Sequence, residues 1–156
     1  MSQNTSVLFV CLGNICRSPS AEAVFRHKAR EAGLAVETDS AGTHGYHIGK
    51  APDKRAQAAG IERGYCFDGI KCRRVEESDF EKFHYILAMD NSNLANLRGM
   101  ADSQYQDKIR LLLDFAETDE QEVPDPYYGG KRGFELVLDL IEQGCDGLIA
   151  HIQQTQ

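Results

Sequence analysis

VLFVCLGNICRSPSAE, residues 7–22, passes from apolar residues through a thiol, a glycine, an amide and an arginine into a proline. Val7, Leu8, Phe9 and Val10 form an unbroken β-branched and aromatic run, the pattern of a strand covered on both faces in a parallel sheet. Ser18 is placed to cap a helix whose first residue is Pro19, because proline has its φ preset and no amide hydrogen to leave unpaired. The stretch predicts strand, tight loop, helix. It raises the question of what chemistry needs a cysteine at the strand's end and an arginine six positions later.

Beyond it, Ala21, Val24, Phe25, Ala29 and Ala32 recur at helical spacing, and Gly33 supplies a left-handed cap. AVETDSAG, residues 35–42, reads as a second strand. Pro52 opens a helix that ends near Gly64, and a small helix lies around Asp79 to Phe83. Tyr85 to Met89 is a third strand with Asp90 just past it, Ser92 to Arg98 is helical, and Ile109 to Leu113 is a fourth strand. Phe134, Val137, Leu138, Ile141, Leu148 and Ile149 mark a long final helix. Strands alternating with helices imply parallel pairing through right-handed crossovers, hence an α/β, doubly wound sheet. Ligands of such sheets sit outside the carboxyl ends of the strands, where strand order reverses. Cys11, Ser40 and Asp90 fall at such ends.

The 156 residues amount to one domain, 1–156, able to bury roughly 70% of its extended surface. With 17 basic and 24 acidic residues the formal charge is −7, which disfavours nucleic acid and anionic membranes as partners. Any anion must therefore be held by a local site. No apolar run approaches the ~20 residues of a membrane span, and Met1 to Ser6 lacks the features of a secretory signal, so the expected location is cytoplasmic. Five cysteines, an odd number without zinc-site spacing, imply reduced thiols. Cys66, Cys72 and Cys145 read as packing residues. The acidic ETDEQE, residues 117–122, reads as a solvated loop.

A tetrahedral dianion is bound well by inward-pointing backbone amides and a helix N-terminus, and a short loop between strand and helix supplies both. Gly13 permits unusual φ, and Asn14 tolerates left-handed geometry. Arg17 can fork two anion oxygens bidentately. The same positive groups favour the ionised sulfur of Cys11, to which Ser18 can donate a hydrogen bond. A thiolate that attacks phosphorus needs an acid to protonate the departing oxygen. Asp125, between two prolines in VPDPYYGG and followed by Gly129 and Gly130, is a candidate.

FVCLGNICRSP (9–19), DSAGT (39–43), YILAMD (85–90) and VPDPYYGG (123–130) resemble, in this order, the motifs of the low-molecular-weight protein tyrosine phosphatases. The resemblance spans essentially the whole chain. It implies a four-stranded parallel sheet with helices on both faces, and hydrolysis of phosphotyrosine monoesters through a cysteinyl-phosphate without metal or other cofactor. By the same resemblance Cys11 is the nucleophile, Arg17 binds phosphate and stabilises the transition state, and Asp125 is the general acid and base. Leu12, Gly13, Asn14, Ile15, Cys16 and Ser18 form the phosphate-binding loop, Ser40 supports it, and Tyr46, Tyr127 and Tyr128 line the cleft. Cys16 is implied to form a reversible disulfide with Cys11 that shields the nucleophile. The implied partner is a tyrosine-phosphorylated protein, and the enzyme is expected as a monomer with at most weak self-association. Relatives acting on phosphoarginine carry threonine where this chain has Ile15. One departure is that many relatives carry a loop-supporting histidine near the segment that is Gly69-Ile70-Lys71 here.

Two other readings use the same residues. Arsenate reduction on this fold needs a further cysteine relay near the third strand's end, where Met89 and Asp90 stand, and it has no use for Asp125. A module that binds phosphotyrosine without turning it over needs the amides and Arg17, but neither a thiol nor an acid.

Overall fold

The computed structural model of the protein describes residues 5–13, 15–45, 48–126 and 130–155. The strands are β1 (Thr5–Cys11), β2 (Val36–Gly42), β3 (Tyr85–Ala88) and β4 (Ile109–Leu111). The helices are α1 (Arg17–Glu31), α2 (Lys54–Glu62), α3 (Glu77–Lys82), α4 (Asn91–Met100) and α5 (Gly130–Thr155). The four strands form one parallel sheet in the order β2-β1-β3-β4, so the chain winds outward in both directions from β1. The doubly wound reading of the sequence holds. Among the described residues no helix is long and apolar enough to cross a membrane.

Side chains alternate across a strand, so β1 contributes to a core on each face of the sheet. Val7, Phe9 and Cys11 face a core shared with α1, α2 and α5, where Phe9 meets Phe25 with ring centroids 5.5 Å apart. Leu8 and Val10 face a second core with Phe80 of α3 and Leu97 of α4. Each fully buried Phe or Leu contributes about 1.5–3 kcal/mol relative to exposure, so both faces of β1 anchor it. Cys11 is the last residue of this most buried strand and points to the α1 side. Arg73 links the edge strand to α3, bonding Asp39 at 3.1 Å and Asp79 through two nitrogens at 2.9 and 3.0 Å.

Several sequence-based boundaries move, each for a local reason. α1 begins at Arg17 after Cys16, with no side-chain cap, so neither the Ser18 cap nor the Pro19 start holds. The Ser18 hydroxyl is engaged elsewhere, and Pro19 still falls in the first turn, where a missing N–H costs nothing. Asp53, not Pro52, starts α2: its Oδ1 accepts from the amides of Arg55 at 2.8 Å and Ala56 at 3.3 Å. β4 stops at Leu111, two residues short of Leu113, because β3 offers no further ladder partner and the Leu111 amide donates to Asp114 at 3.3 Å. Leu112–Phe115 instead forms a 3₁₀ turn. Gly130 is not loop but the first residue of α5, with φ +60°. Gly33 ends α1 at φ +72°, as its position predicts.

Glycine inside a helix ordinarily weakens it, but α5 needs two at its crossing with the 3₁₀ turn. A Cβ at Gly144 would lie 2.7 Å from Leu112 Cγ, and one at Gly147 only 1.7 Å from the Phe115 carbonyl oxygen. Gly147→Ala should therefore lower stability by about 3 kcal/mol despite alanine's better helix propensity. Gly99→Ala in α4, where nothing lies within 4 Å, should raise it by up to about 1 kcal/mol. Urea unfolding midpoints of the two variants, moving in opposite directions, check this.

Candidate active site

The loop after β1 is held from outside by its carbonyls. The Cys11 oxygen accepts from the Thr43 amide at 2.9 Å, the Leu12 oxygen from the His44 amide at 2.9 Å, and the Ile15 oxygen from the Asp53 amide at 2.8 Å. In a trans peptide each carbonyl points opposite to the following N–H. These three bonds therefore turn the amides of Leu12, Gly13 and Cys16 toward the other side of the backbone, the orientation that the expected anion nest needs.

Cys11 is buried, and its Sγ lies 3.0 Å from Ser18 Oγ. Ser18 Oγ also lies 3.4 Å from the Ala41 carbonyl, to which it can donate. The hydroxyl expected at a helix cap thus serves the sulfur at the helix's first turn.

Arg17 is 5% exposed, and its Nη1 donates to Asp90 Oδ2 at 2.7 Å and to the Val123 carbonyl at 3.0 Å. Burial would lower the pKa of the guanidinium; the charge of Cys11, the bond and charge of Asp90, and the charge of Asp125 more than offset it. The other oxygen of Asp90 accepts from the Asn93 amide at 2.8 Å and caps α4. One carboxylate thus starts a helix and fixes the arginine.

The segment bearing Asp125 is tied to the sheet two residues earlier, where the Val123 amide donates to the Met89 carbonyl at 2.8 Å. Glu122 accepts from the Asn91 amide at 2.8 Å, so the end of the acidic run is structural as well as solvated. Asp125 itself is exposed, and its charge acts on both Cys16 and Arg17. The fold thereby brings together Cys11, Cys16, Arg17, Ser18 and Asp125. Ile15 is half-buried beside them, and Leu12 is exposed at the rim. Asn14, Tyr46, Tyr127 and Tyr128 lie outside the described residues.

Ser40 is fully buried, and its hydroxyl donates at 2.9 Å to Glu22 on α1. Glu22 also accepts from Thr38 at 3.3 Å. Burial pushes the Glu22 carboxyl above its ordinary range, against the two hydroxyl bonds. Ser40 therefore braces α1 four residues beyond Ser18. Sequence reasoning passed over Glu22 and Asp53, and it placed Asp90 at a ligand-facing strand end without giving it a partner. The available signals were a carboxylate at i+4 from Ser18 on the buried helix face, and acids just before two helices.

The thiols divide by surroundings. Burial first, then the charges of Asp53, Cys11 and Asp125, push the Cys16 thiol up to about 12. Cys72, buried beside Ala51, is raised by burial and then by the charge of Cys11, so it flanks the site although it lies far along the chain. Cys145 packs under α1, as expected, whereas Cys66 is exposed and does not serve as a packing residue.

The family described as low molecular weight phosphotyrosine protein phosphatase matches residues 6–156. The chain is similar to the low molecular weight protein-tyrosine-phosphatase YfkJ of Bacillus subtilis, with 49% identity over 152 residues covering 96% of each chain. The crystal structure of YfkJ superposes with a TM-score of 0.94 at 47% identity, covering 99% of this chain and 98% of that one. A protein tyrosine phosphatase from Entamoeba histolytica, with Hepes in its active site, also gives a TM-score of 0.94, at 45% identity over 97% of this chain and 99% of that one.

Removing Asp90 tests the clamp. Asp90→Ala strands a buried guanidinium and uncaps α4, with an expected loss of about 3 kcal/mol in urea unfolding. Asp90→Asn, which still caps the helix, should lose less.

Proposed function

The chain belongs to the low-molecular-weight phosphotyrosine protein phosphatase family and is a phosphatase, and we propose that it hydrolyses phosphotyrosine monoesters in proteins through a cysteinyl-phosphate. The observation that carries this reading is the Cys11 sulfur, buried at the end of the central strand and 3.0 Å from the Ser18 hydroxyl, with the amide nest beside it. The thiolate is the nucleophilic form of cysteine, and the Ser18 hydroxyl lies within hydrogen-bonding reach of the sulfur.

In the first step the sulfur attacks phosphorus in line, an S–P bond forms, and the P–O bond to the tyrosine breaks. Asp125 gives its proton to the departing phenolic oxygen. In the second step Asp125 takes a proton from a water whose oxygen attacks phosphorus, and the S–P bond breaks to release phosphate and the thiolate. Arg17 has Nη1 committed to Asp90 and Val123, and Nε and Nη2 form the fork that meets two equatorial oxygens. The loop amides meet the remaining charge as it develops. Pinning the guanidinium by Nη1 means that it need not reorganise during the reaction. Phosphotyrosine as substrate is supported by what the relatives are named for, and Tyr46, Tyr127 and Tyr128 are the proposed walls of a deep cleft. The enzyme acts in this reading as a cytoplasmic monomer, and the odd number of cysteines supports a reducing compartment.

With p-nitrophenyl phosphate and no added metal, Cys11→Ser should abolish turnover, and Asp125→Ala should lower kcat by about 10²–10⁴. Rapid quenching should trap phosphate on residue 11; unchanged hydrolysis by Cys11→Ser would exclude the mechanism.

Redox protection by Cys16 belongs to the same reading. Peroxide converts the Cys11 thiolate to a sulfenic acid, the Cys16 sulfur displaces water from it, and the resulting disulfide is reopened by a dithiol. Because the Cys16 thiol stands at about 12, it is protonated at neutral pH and does not compete with Cys11 for substrate. Protection should accordingly accelerate from pH 7 to 9. Activity recovered by dithiothreitol after peroxide should be near complete in the wild type and small in Cys16→Ser, and equal recovery would remove the role.

A further inference from the structure

α2 and α5 start at the same edge of the molecule and run in the same direction. The Asp53 amide, capping α2, donates to the Ile15 carbonyl of the anion loop, and the first turn of α5 crosses Pro126, the neighbour of Asp125, 3.4 Å from a Cβ at Gly133. At the other end Arg63, just past α2, pairs with Glu135, Asp139 and Glu142 of α5 at 2.6–2.9 Å. Between the two helices lies a groove of about 340 Å³.

Its lining is ordered by charge. Arg55 and Lys131, from the first turns of the two helices, mark the end nearer Ile15 and Pro126, the mouth; Ala58, Ala59 and Phe134 lie between, and Glu62 and Glu135 mark the far end. The Arg55 guanidinium lies 5.1 Å over the Phe134 ring and is paired with Asp53 at 3.4 Å, so Lys131 is the cation that distinguishes the mouth. Glu135 is already paired with Arg63, so Glu62 is the carboxylate that distinguishes the far end. From Arg55 to Glu62 is seven helical residues, about 10 Å, or about three residues of extended peptide.

We propose that this groove receives the peptide flank of the phosphotyrosyl substrate, with an acidic residue at the mouth, an apolar side chain over Ala58 and Phe134, and a basic residue at Glu62. The proposal rests on the phosphotyrosyl-protein reading above. A uniformly charged ligand meets a repulsive end in this groove, whereas a peptide with charges in the order acidic, apolar, basic meets none. The apolar floor adds specificity that phosphate contacts cannot supply, because every phosphotyrosine presents the same phosphate.

The test uses three phosphopeptides: Asp-Leu-Ala-Lys after the phosphotyrosine, the mirror order before it, and both flanks with Asp and Lys exchanged. p-Nitrophenyl phosphate, which has no flank, is the control. One correctly ordered peptide should exceed the exchanged peptide by about tenfold in kcat/KM. Ala58→Phe fills the groove from an exposed helix position and should erase that preference while p-nitrophenyl phosphate turnover stays within about twofold. Lys131→Glu should shift preference toward the exchanged peptide. Equal rates on all three peptides, or a preference that survives both variants, overturns the proposal while the catalytic reading stands. Failure of the wild type to hydrolyse p-nitrophenyl phosphate brings down the catalytic reading, and the groove's role with it.

Discussion

The Arg17 guanidinium is a full positive charge held almost out of water, where Asp90 and the Val123 carbonyl receive it. That requirement joins three parts of the chain: the first residue of α1, the end of β3, and the segment that carries Asp125. Each partner has a second duty. Asp90 also caps α4, and the Val123 amide also closes onto Met89. A shift in any one of these elements leaves a buried charge or a buried amide unpaired, so the candidate catalytic groups are held in register by the cost of desolvation.

The sheet makes this arrangement possible. In the order β2-β1-β3-β4, the chain leaves β1 toward opposite sides, and the carboxyl end of β1 is open between the two crossovers. Cys11 occupies that opening. Because side chains alternate, the strand that buries Phe9 toward α1 must also send Cys11 toward α1, where Ser18 lies in the first turn. The loop's outward carbonyl bonds to residues 43, 44 and 53 complete the site by turning amides inward. The nest is thus assembled by neighbours that are distant in sequence.

Much of this was legible in the linear order of residues. The apolar run of Val7 to Val10 and the alternation of strand and helix patterns are local signals, and local signals specify local conformation. The errors were local as well. Ser18 has good capping chemistry, but its hydroxyl is turned to the sulfur of Cys11 and the Ala41 carbonyl instead of the helix end. Leu112 and Leu113 have strand propensity, but a strand exists only where a neighbour offers a ladder, and β3 had ended. Glu22 was passed over because its burial depends on β2 arriving with Ser40 and Thr38 to hydrogen-bond it.

Residue types and their spacing were enough to establish a parallel α/β domain with a thiol and an arginine on one strand-to-helix connection, because those features depend on dihedral preferences and on periodicity within a few residues. Which carboxylate holds the arginine was decided in three dimensions. Asp90 reaches Arg17 across 73 positions, and α2 and α5 form their groove only when packed side by side. Electrostatics and exclusion from water act through distance in space, and separation along the chain carries almost no information about that distance until the fold exists.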